Sequence, residues 1–295
     1  GSASPITLPA VTFDWPGALF DNLATSSLMR MFRGARIDDE LGGRTNVTYI
    51  GTGTDTAATC VTPAGDRWDT SVQDCYPRNV VGQGVITYWR YRVQTVARVD
   101  TLLGAPNVTT NYEYIGWPVY HFDTSPYVAN PTYSEPRGYS EVREQTGSGP
   151  ITQHFFFRGM YGDPIMTGGS RTDYVTYIDG TIVNDSNVLR GREYRTEVRS
   201  SMSAPSISRD QTRFNAVQTG YQPGKPTWRV DAVRTIHDVL QGSGGYKTRE
   251  VATVYEYLGM PVEIVDFGDQ AISGDETCTG IQYARPTAAI NAYVL

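Results

Sequence analysis

The sequence predicts an all-β chain, and three observations carry that expectation. A nine-residue phrase is written twice: Asn111-Tyr112-Glu113-Tyr114-Ile115-Gly116-Trp117-Pro118-Val119 and Val254-Tyr255-Glu256-Tyr257-Leu258-Gly259-Met260-Pro261-Val262 agree at six positions. Each copy sets two tyrosines two residues apart, on one face of a strand, and follows them with a glycine and a proline that end the strand in a turn. A strand-turn unit used more than once is an architectural device whose copies cover one another, whereas a catalytic constellation is written once. Second, 20 tyrosines with many valines and threonines favour strands, while 30 glycines and 17 prolines supply turns and leave little room for long helices. Third, Val85 to Val99 alternates, with Val85, Thr87, Trp89, Tyr91, Val93, Thr95, Ala97 and Val99 facing one way and Arg90, Arg92, Gln94 and Arg98 the other.

At 295 residues the chain is long enough to bury a core as one large β domain or two smaller ones. The 25 basic and 31 acidic residues give a net charge of −6, and the basic residues are spread rather than clustered, which argues against a nucleic-acid partner. They are almost all arginine, which reads as a compositional bias more simply than as a phosphate-binding design. No stretch approaches the roughly 18 to 20 apolar residues that cross a bilayer, so no membrane span is expected. A secretory signal is lacking, Gly1-Ser2 reads as a cloning scar, and Ala292-Tyr293-Val294-Leu295 carries no terminal punctuation, so the sequence is read as an excised piece of a larger protein.

Along the chain, residues 1–36 have no regular period and read as an irregular segment, with a short helix possible from Ala18 to Met31 because Leu19, Leu23 and Leu28 lie near one face. Residues 37–295 read as one β region. Arg44 to Ile50 is a strand ended by Gly51, and a polar loop runs on to about Gln83. That loop holds Cys60 and Cys75. A disulfide between them closes a loop worth roughly 3 kcal/mol and fits export; free thiols and a metal site are the alternatives, although no CxxC or HxxxH spacing occurs. Cys278 is left over. Val108 to Ile115 returns after the turn Gly104-Ala105-Pro106-Asn107 and makes a hairpin with the Val85–Val99 strand. Further strands are expected at 137–145, 151–158, 171–178, 192–200, 212–219, 227–239, 247–258 and 261–266. Long strands joined by short glycine-rich turns make an antiparallel ribbon whose edges need closure, coiling or further repeats.

Other phrases extend the pattern. Tyr221-Gln222-Pro223-Gly224-Lys225-Pro226-Thr227 has the spacing Tyr-x-x-Gly-(Arg/Lys)-Pro-Thr, and Gly43-Arg44 leads into a strand ending at Tyr49. Together with Trp68-Asp69-Thr70, Gln73-Asp74-Cys75-Tyr76-Pro77, Arg137-Gly138-Tyr139, Phe157-Arg158-Gly159-Met160-Tyr161-Gly162-Asp163 and Tyr283-Ala284-Arg285, these resemble the tyrosine-aspartate (YD) repeats of the Rhs family, in the form found in actinobacteria. The likeness spans roughly residues 36 to 290. It implies strand-turn units wound into a hollow β shell around a toxic C-terminal domain, as in toxin-complex shells and contact-dependent (polymorphic) bacterial toxins; the related teneurins use a similar barrel for adhesion. The partners it implies are the remaining repeats and the C-terminal cargo domain of the parent, at a secreted or cell-surface bacterial location. Two departures stand out. Ile50, Ile115 and Leu258 occupy the place of the repeat's aspartate, and Asp163-Pro164-Ile165 lacks the glycine of the Asp-Pro-x-Gly self-cleavage motif.

Candidate chemistry is sparse. Asp38-Asp39-Glu40, Asp173 with Asp179, and Asp266 with Asp269 and Asp275-Glu276 are the carboxylate sets that glycoside cleavage would use, but each adjoins a turn glycine and reads as turn capping. The stretch from Asp266 to Glu276 lacks the ligand spacing of an EF-hand. None of His121, His154 and His237 accompanies a nucleophile motif, and Gly51-Thr52-Gly53 and Gly242-Ser243-Gly244-Gly245 have no phosphate-loop lysine. Trp89, Tyr91, Trp117, Tyr120 and Trp228 would stack on sugars if exposed; Trp117 and Trp228 are the best placed, although strand alternation favours core packing for most of the set. The reading is a non-enzymatic shell segment without a cofactor, with a carbohydrate- or cell-wall-binding adhesion module as the alternative and a glycoside hydrolase as the remote one.

Overall fold

The computed structural model describes residues 11–14, 19–21, 30–32, 34–50, 60–123, 130–222 and 225–284. The chain divides into two compact units, Gly1–Ile207 and Ser208–Leu295. In the first unit the strands are β1 (Thr12–Asp14), β2 (Leu19–Asp21), β3 (Arg30–Phe32), β4 (Arg36–Asp38), β5 (Gly43–Ile50), β6 (Cys75–Val80), β7 (Gly84–Trp89), β8 (Arg92–Asp100), β9 (Val108–Ile115), β10 (Val119–His121), β11 (Glu135–Gly138), β12 (Glu141–Thr146), β13 (Ile151–Phe156), β14 (Tyr174–Thr176), β15 (Ile182–Asn184) and β16 (Glu193–Arg199). The second unit holds β17 (Ser206–Gln222, which starts at the boundary), β18 (Lys225–Leu240), β19 (Tyr246–Tyr255), β20 (Pro261–Asp269) and β21 (Thr277–Gly280). No α-helix occurs among the described residues. The fold is all-β, with a large antiparallel sheet.

In the first unit the main sheet runs β1-β4-β5-β8-β9-β12-β13-β16, each strand antiparallel to the next. Connections therefore alternate between the two ends of the sheet. The turns after β4, β8 and β12 are short and fall at one end, where Asp39 Oδ1 accepts from the amides of Leu41 and Gly43 and Asp100 Oδ1 from those of Leu102 and Leu103. Every long connection falls at the other end, and each carries its own two-stranded pairing: β2 with β3, β6 with β7, β10 and β11 together, and β14 with β15. The second unit is a plain meander, β17-β18-β19-β20-β21, built on strands of 17 and 16 residues.

The buried apolar side chains are found in the excursions rather than on the sheet. Trp68, Cys75, Tyr120, Tyr133, Tyr139, Phe157, Met160, Val175, Tyr177 and Leu189 all belong to the long connections, and Tyr194 alone of the described buried apolar residues stands on a main-sheet strand. Tyr194 apart, the buried positions of the sheet among the described residues are polar: Gln153, Glu197 and Ser206 in the first unit, and Gln211, Asp231, Asp238 and Glu250 in the second. Burial of such groups is tolerated only when they are hydrogen-bonded or paired, and the arginines supply that pairing.

Several expectations need correction. Of the helix expected over 18–31, Leu19–Asp21 and Arg30–Phe32 are extended and pair with each other; a leucine spacing over so short a stretch is overridden by strand pairing. The single Val85–Val99 strand is two, because the chain changes partners at Arg90-Tyr91: β7 pairs with β6 and β8 joins the main sheet. Arg90 N donates to Asp74 O and Arg92 pairs with the Asp74 carboxylate, which fixes that switch point. The polar loop contains β6, and the 137–145 strand is broken at Tyr139-Ser140. The strand expected over 171–178 shrinks to Tyr174–Thr176. Gly1-Ser2, Gly51 and Gly224 lie outside the described residues.

Glu197 gives the sheet a pH dependence. Burial pushes its carboxyl upward, but hydrogen bonds from Ser206 Oγ and Arg199, with the charges of Arg195 and Arg199, more than offset this and hold it below its ordinary value. A lowered folded value contributes stability above the unfolded value of 4.5 that is lost as pH falls through the folded one. Urea titrations between neutral pH and the acid range should therefore show the wild type losing more stability below that value than Glu197→Gln; parallel curves would remove Glu197 from the account.

Candidate functional site

Strand register places a charged belt on one face of the first unit's sheet. Glu113, Arg143, Gln153 and Glu197 are direct cross-strand partners on β9, β12, β13 and β16, and so share a face. Gln153 Nε2 donates to Glu141 Oε1 at 2.6 Å, Arg199 Nε donates to Gln153 Oε1 at 2.6 Å, and Ser206 Oγ donates to Glu197 Oε2 at 2.7 Å. Tyr112 and Tyr114 occupy the opposite face. The second unit repeats the device: Arg209 Nη2 and Thr248 Oγ1 both donate to Asp238 at 2.6 Å, and Arg234 and Gln270 meet Glu250 at 3.0 and 2.9 Å. Charge pairs two residues apart on one strand, such as Arg36 with Asp38 and Arg229 with Asp231, complete it. A sheet knitted in this way is stabilised laterally, strand to strand, with no buried apolar layer on the belt.

A second device closes the open ends of the hairpins. In four of the hairpins with short turns, a tyrosine three residues beyond the last paired residue of the second strand donates to the carbonyl two residues before its partner on the first. The last pair Arg36–Asn46 leads to Tyr49 Oη on Gly34 O at 2.9 Å, and Thr95–Asn111 to Tyr114 on Val93 O at 2.9 Å. Arg234–Ala252 leads to Tyr255 on Ala232 O at 3.1 Å, and Glu263–Gly280 to Tyr283 on Pro261 O at 2.8 Å. The β12–β13 hairpin has Arg158 at this position, three residues past the pair Glu141–Phe155. The tyrosine latch satisfies a carbonyl that the ladder leaves behind.

The latch shows that the two copies of the nine-residue phrase are not structurally equivalent. In the first copy the second tyrosine, Tyr114, is the latch; in the second copy the first one, Tyr255, is. Tyr112 is half-buried, while Tyr257 and Tyr221 are 79% and 69% exposed. Gly116 and Gly259 share φ of 85°, a left-handed conformation that glycine adopts without strain. After Gly116-Trp117-Pro118 the chain leaves the sheet along β10; around Gly259 it closes a hairpin through Glu256 N to Met260 O, and Pro261 starts β20. Tyr114→Phe and Tyr255→Phe should each cost about 1 kcal/mol in denaturant unfolding, whereas Tyr257→Phe should stay within about 0.5 kcal/mol. Equal costs at all three sites would refute the latch assignment.

The excursions of the first unit are tied to one another by polar contacts. Cys60 and Cys75 form a disulfide. Tyr120 Oη donates to Gln73 O at 2.6 Å, Tyr133 Oη to Pro164 O at 2.8 Å, and Thr132 Oγ1 to Pro77 O at 3.2 Å. Tyr139 donates to the Asp74 carboxylate, which also takes Arg92, and the Arg92 guanidinium lies 5.0 Å from the ring centres of both Tyr114 and Tyr139. Burial with hydrogen bonding to Asp74 pushes the Tyr139 phenol strongly upward, and burial does the same for Tyr120. His121 Nδ1 lies 2.6 Å from Asp163 Oδ1, which also accepts from Phe122 N at 3.1 Å. The predominantly polar sequence between the two early cysteines gave little sign of this knot, because its core is assembled from residues far apart in the chain.

The carboxylate sets serve as caps and ion pairs. Asp38 takes Arg44 and Arg36, Asp179 caps Thr181, Asp266 takes Arg249 and Gly268 N, and Asp269 takes Ala271 N and Lys247. Among the described residues no cluster of His, Cys, Asp and Glu has the makings of a metal site. His154 and His237 face Glu193 and Asp210, and Cys278 is exposed. Tyr120 is fully buried and Trp89 packs against the excursion core. Trp117 is 65% exposed in the first unit and Trp228 43% exposed in the second. No helix among the described residues is long and apolar enough to cross a membrane.

No family model matches the sequence, and no curated protein matches it. Among solved structures, the chain is similar to the crystal structure of TcdB2-TccC3 at a TM-score of 0.50 and 11% identity, over 82% of this chain and 12% of that one. It also aligns with TcdB2-TccC3 lacking its hypervariable C-terminal region, at a TM-score of 0.47 and 12% identity over 78% and 12% of the two chains. The chain thus spans a small fraction of the length of the structures it matches. The likeness to the first is one of fold.

Proposed function

We propose that this chain is a non-enzymatic wall segment of an exported bacterial Rhs-type shell that encloses or delivers a toxic cargo domain. The observation that carries the reading is the hairpin pinned at both ends, by a short turn at one and a tyrosine latch at the other, recurring in a sheet whose buried positions, Tyr194 apart, are polar. A sheet held together laterally can be extended by adding hairpins and needs no apolar partner layer under its charged belt, which is what a wall around a cavity requires. The fold likeness to TcdB2-TccC3, a toxin-complex protein, supports the same reading. The partners are then the neighbouring repeats and the cargo domain of the parent.

The test uses the full-length parent protein. Electron microscopy should reveal a hollow particle, and limited proteolysis should leave an internal segment protected until the wall is unfolded. A solid particle, or a parent digested throughout at equal rates, would overturn the proposal.

A further inference from the structure

We propose that the rim of tight reversals in the first unit docks on a zwitterionic lipid surface, with Leu41, Leu102 and Leu103 inserted among the headgroups. The proposal stands apart from the wall reading, since none of these leucines takes part in a latch or in the charged belt.

The reversals after β4 and β8 lie side by side, joined by Thr101, whose amide and hydroxyl both donate to Gly42 O, at 3.0 and 2.7 Å. At their tips Leu41, Leu102 and Leu103 are 73%, 71% and 89% exposed. With Ala105, Pro106 and Val108 they edge a cleft of about 580 Å³. Turn chemistry does not ask for leucine, since turns favour glycine, proline, asparagine, aspartate and serine. The reversal after β12 at the same rim shows this, being built from Gly147-Ser148-Gly149-Pro150 with no bulky aliphatic group. Single exposed leucines are ordinary, but three on adjoining tips form a patch that calls for a partner. The long connections of this unit lie at the other end of the sheet and leave these tips open.

An apolar tip can leave water only if the backbone that carries it is already satisfied. Asp39 Oδ1 takes the amides of Leu41 and Gly43, Asp39 O takes that of Gly42, Gly42 O takes that of Thr101, and Asp100 Oδ1 takes those of Leu102 and Leu103. Every amide from Leu41 to Gly43 and from Thr101 to Leu103 is therefore engaged within the tips themselves. Size then separates a bilayer from a protein partner. A stable protein interface engages roughly 20 to 30 residues a side, whereas this patch comes from two adjacent turns. A bilayer accepts so small a projection, because the boundary between headgroups and acyl chains is reached within about 5–10 Å. Charge selects the lipid. Arg36, Arg44 and Arg98 stand at the rim with Asp38, Asp39, Glu40 and Asp100, three guanidiniums against four carboxylates, so an anionic surface gains no attraction here. A zwitterionic headgroup carries both signs, its phosphate suiting the guanidiniums and its quaternary ammonium the carboxylates.

The experiment is co-sedimentation of the chain with vesicles of phosphatidylcholine, and with vesicles in which half of the lipid is phosphatidylglycerol. The chain should bind the first, bind the second no more tightly, and keep its binding at high salt, because apolar contact carries it. Leu102→Asp with Leu103→Asp should lower the partition coefficient at least about tenfold, while Val81→Asp, at the exposed turn between β6 and β7, leaves it unchanged. Circular dichroism establishes that the variants are folded. As a second readout, the fluorescence of Leu103→Trp should shift to the blue when phosphatidylcholine vesicles are added, and that of Val81→Trp should not; if the double variant does not fold, this comparison decides alone. The proposal is overturned if phosphatidylcholine vesicles are not bound, if binding requires phosphatidylglycerol, if the folded double variant binds like wild type, or if the Leu103→Trp emission does not move.

Discussion

Asp185→Ala is expected to cost the first unit about 4 kcal/mol, because it orphans several buried donors at once. Asp185 is 1% exposed, and its carboxylate accepts from the amides of Arg158 at 2.8 Å, Gly159 at 2.7 Å and Met160 at 3.3 Å. Its own backbone extends the contact, with Tyr161 N donating to Asp185 O and Asp185 N to Asp173 O. The side chain thus shapes the bend after β13 that buries Phe157 and Met160, both of which are inaccessible to solvent. Alanine has no acceptor for these amides. Asp185→Asn retains one acceptor oxygen but presents an amide donor to the remaining amides, so its loss should be intermediate, about 2 kcal/mol. Urea unfolding measures both, and hydrogen exchange should localise the damage to the connection between β13 and β16. A variant as stable as wild type would show that the bend is set by its glycines instead.

Removing the disulfide with Cys60→Ser and Cys75→Ser together should cost about 3 kcal/mol through the loop of 15 residues it closes. The connection also carries Gln73, whose side-chain amide makes paired 2.7 Å hydrogen bonds to the backbone of Val61. Part of the loop's geometry therefore survives reduction, while the buried Trp68 and Cys75 lose the covalent tie that holds them against Tyr120 and Tyr133. Reduction of the wild type should reproduce the double variant in thermal melts, with exchange rising in residues 60–90 and little in the amides of β9, β12 and β13. Unchanged melting on reduction would mean that the polar contacts of the knot suffice alone.

The sequence revealed the parts of the fold that depend on local alternation. The hairpin returning through Val108–Ile115, the strand over 151–158 and the strands β17 to β20 of the second unit stand where period-two patterning puts them, whereas β21 was not anticipated. Change of partner is invisible to such patterning, which is why Val85–Val99 reads as one strand although the chain moves to a different sheet at Arg90-Tyr91. Pro77 and the surrounding polar residues hid β6, whose pairing with β7 is tertiary information. The repeated phrase sets its tyrosines in the same places in both copies, yet the latch falls on the second tyrosine in one and the first in the other, because it is defined by the last paired rung and not by neighbouring letters. The surroundings of Trp117 were half visible: the indole could be read, while Arg158, Arg171 and Asp173 line the same cleft only through the bends of another connection.

Because strands alternate in direction, the first unit keeps all its bulky connections at one rim and only tight reversals at the other. The two rims differ in what they can tolerate. An extra residue in a tight reversal shifts the pairing of a whole strand and turns its charges to the wrong side. Additional length beyond the latches is absorbed outside the ladder, so ornament can grow or be exchanged at that rim while the staves beneath keep their spacing.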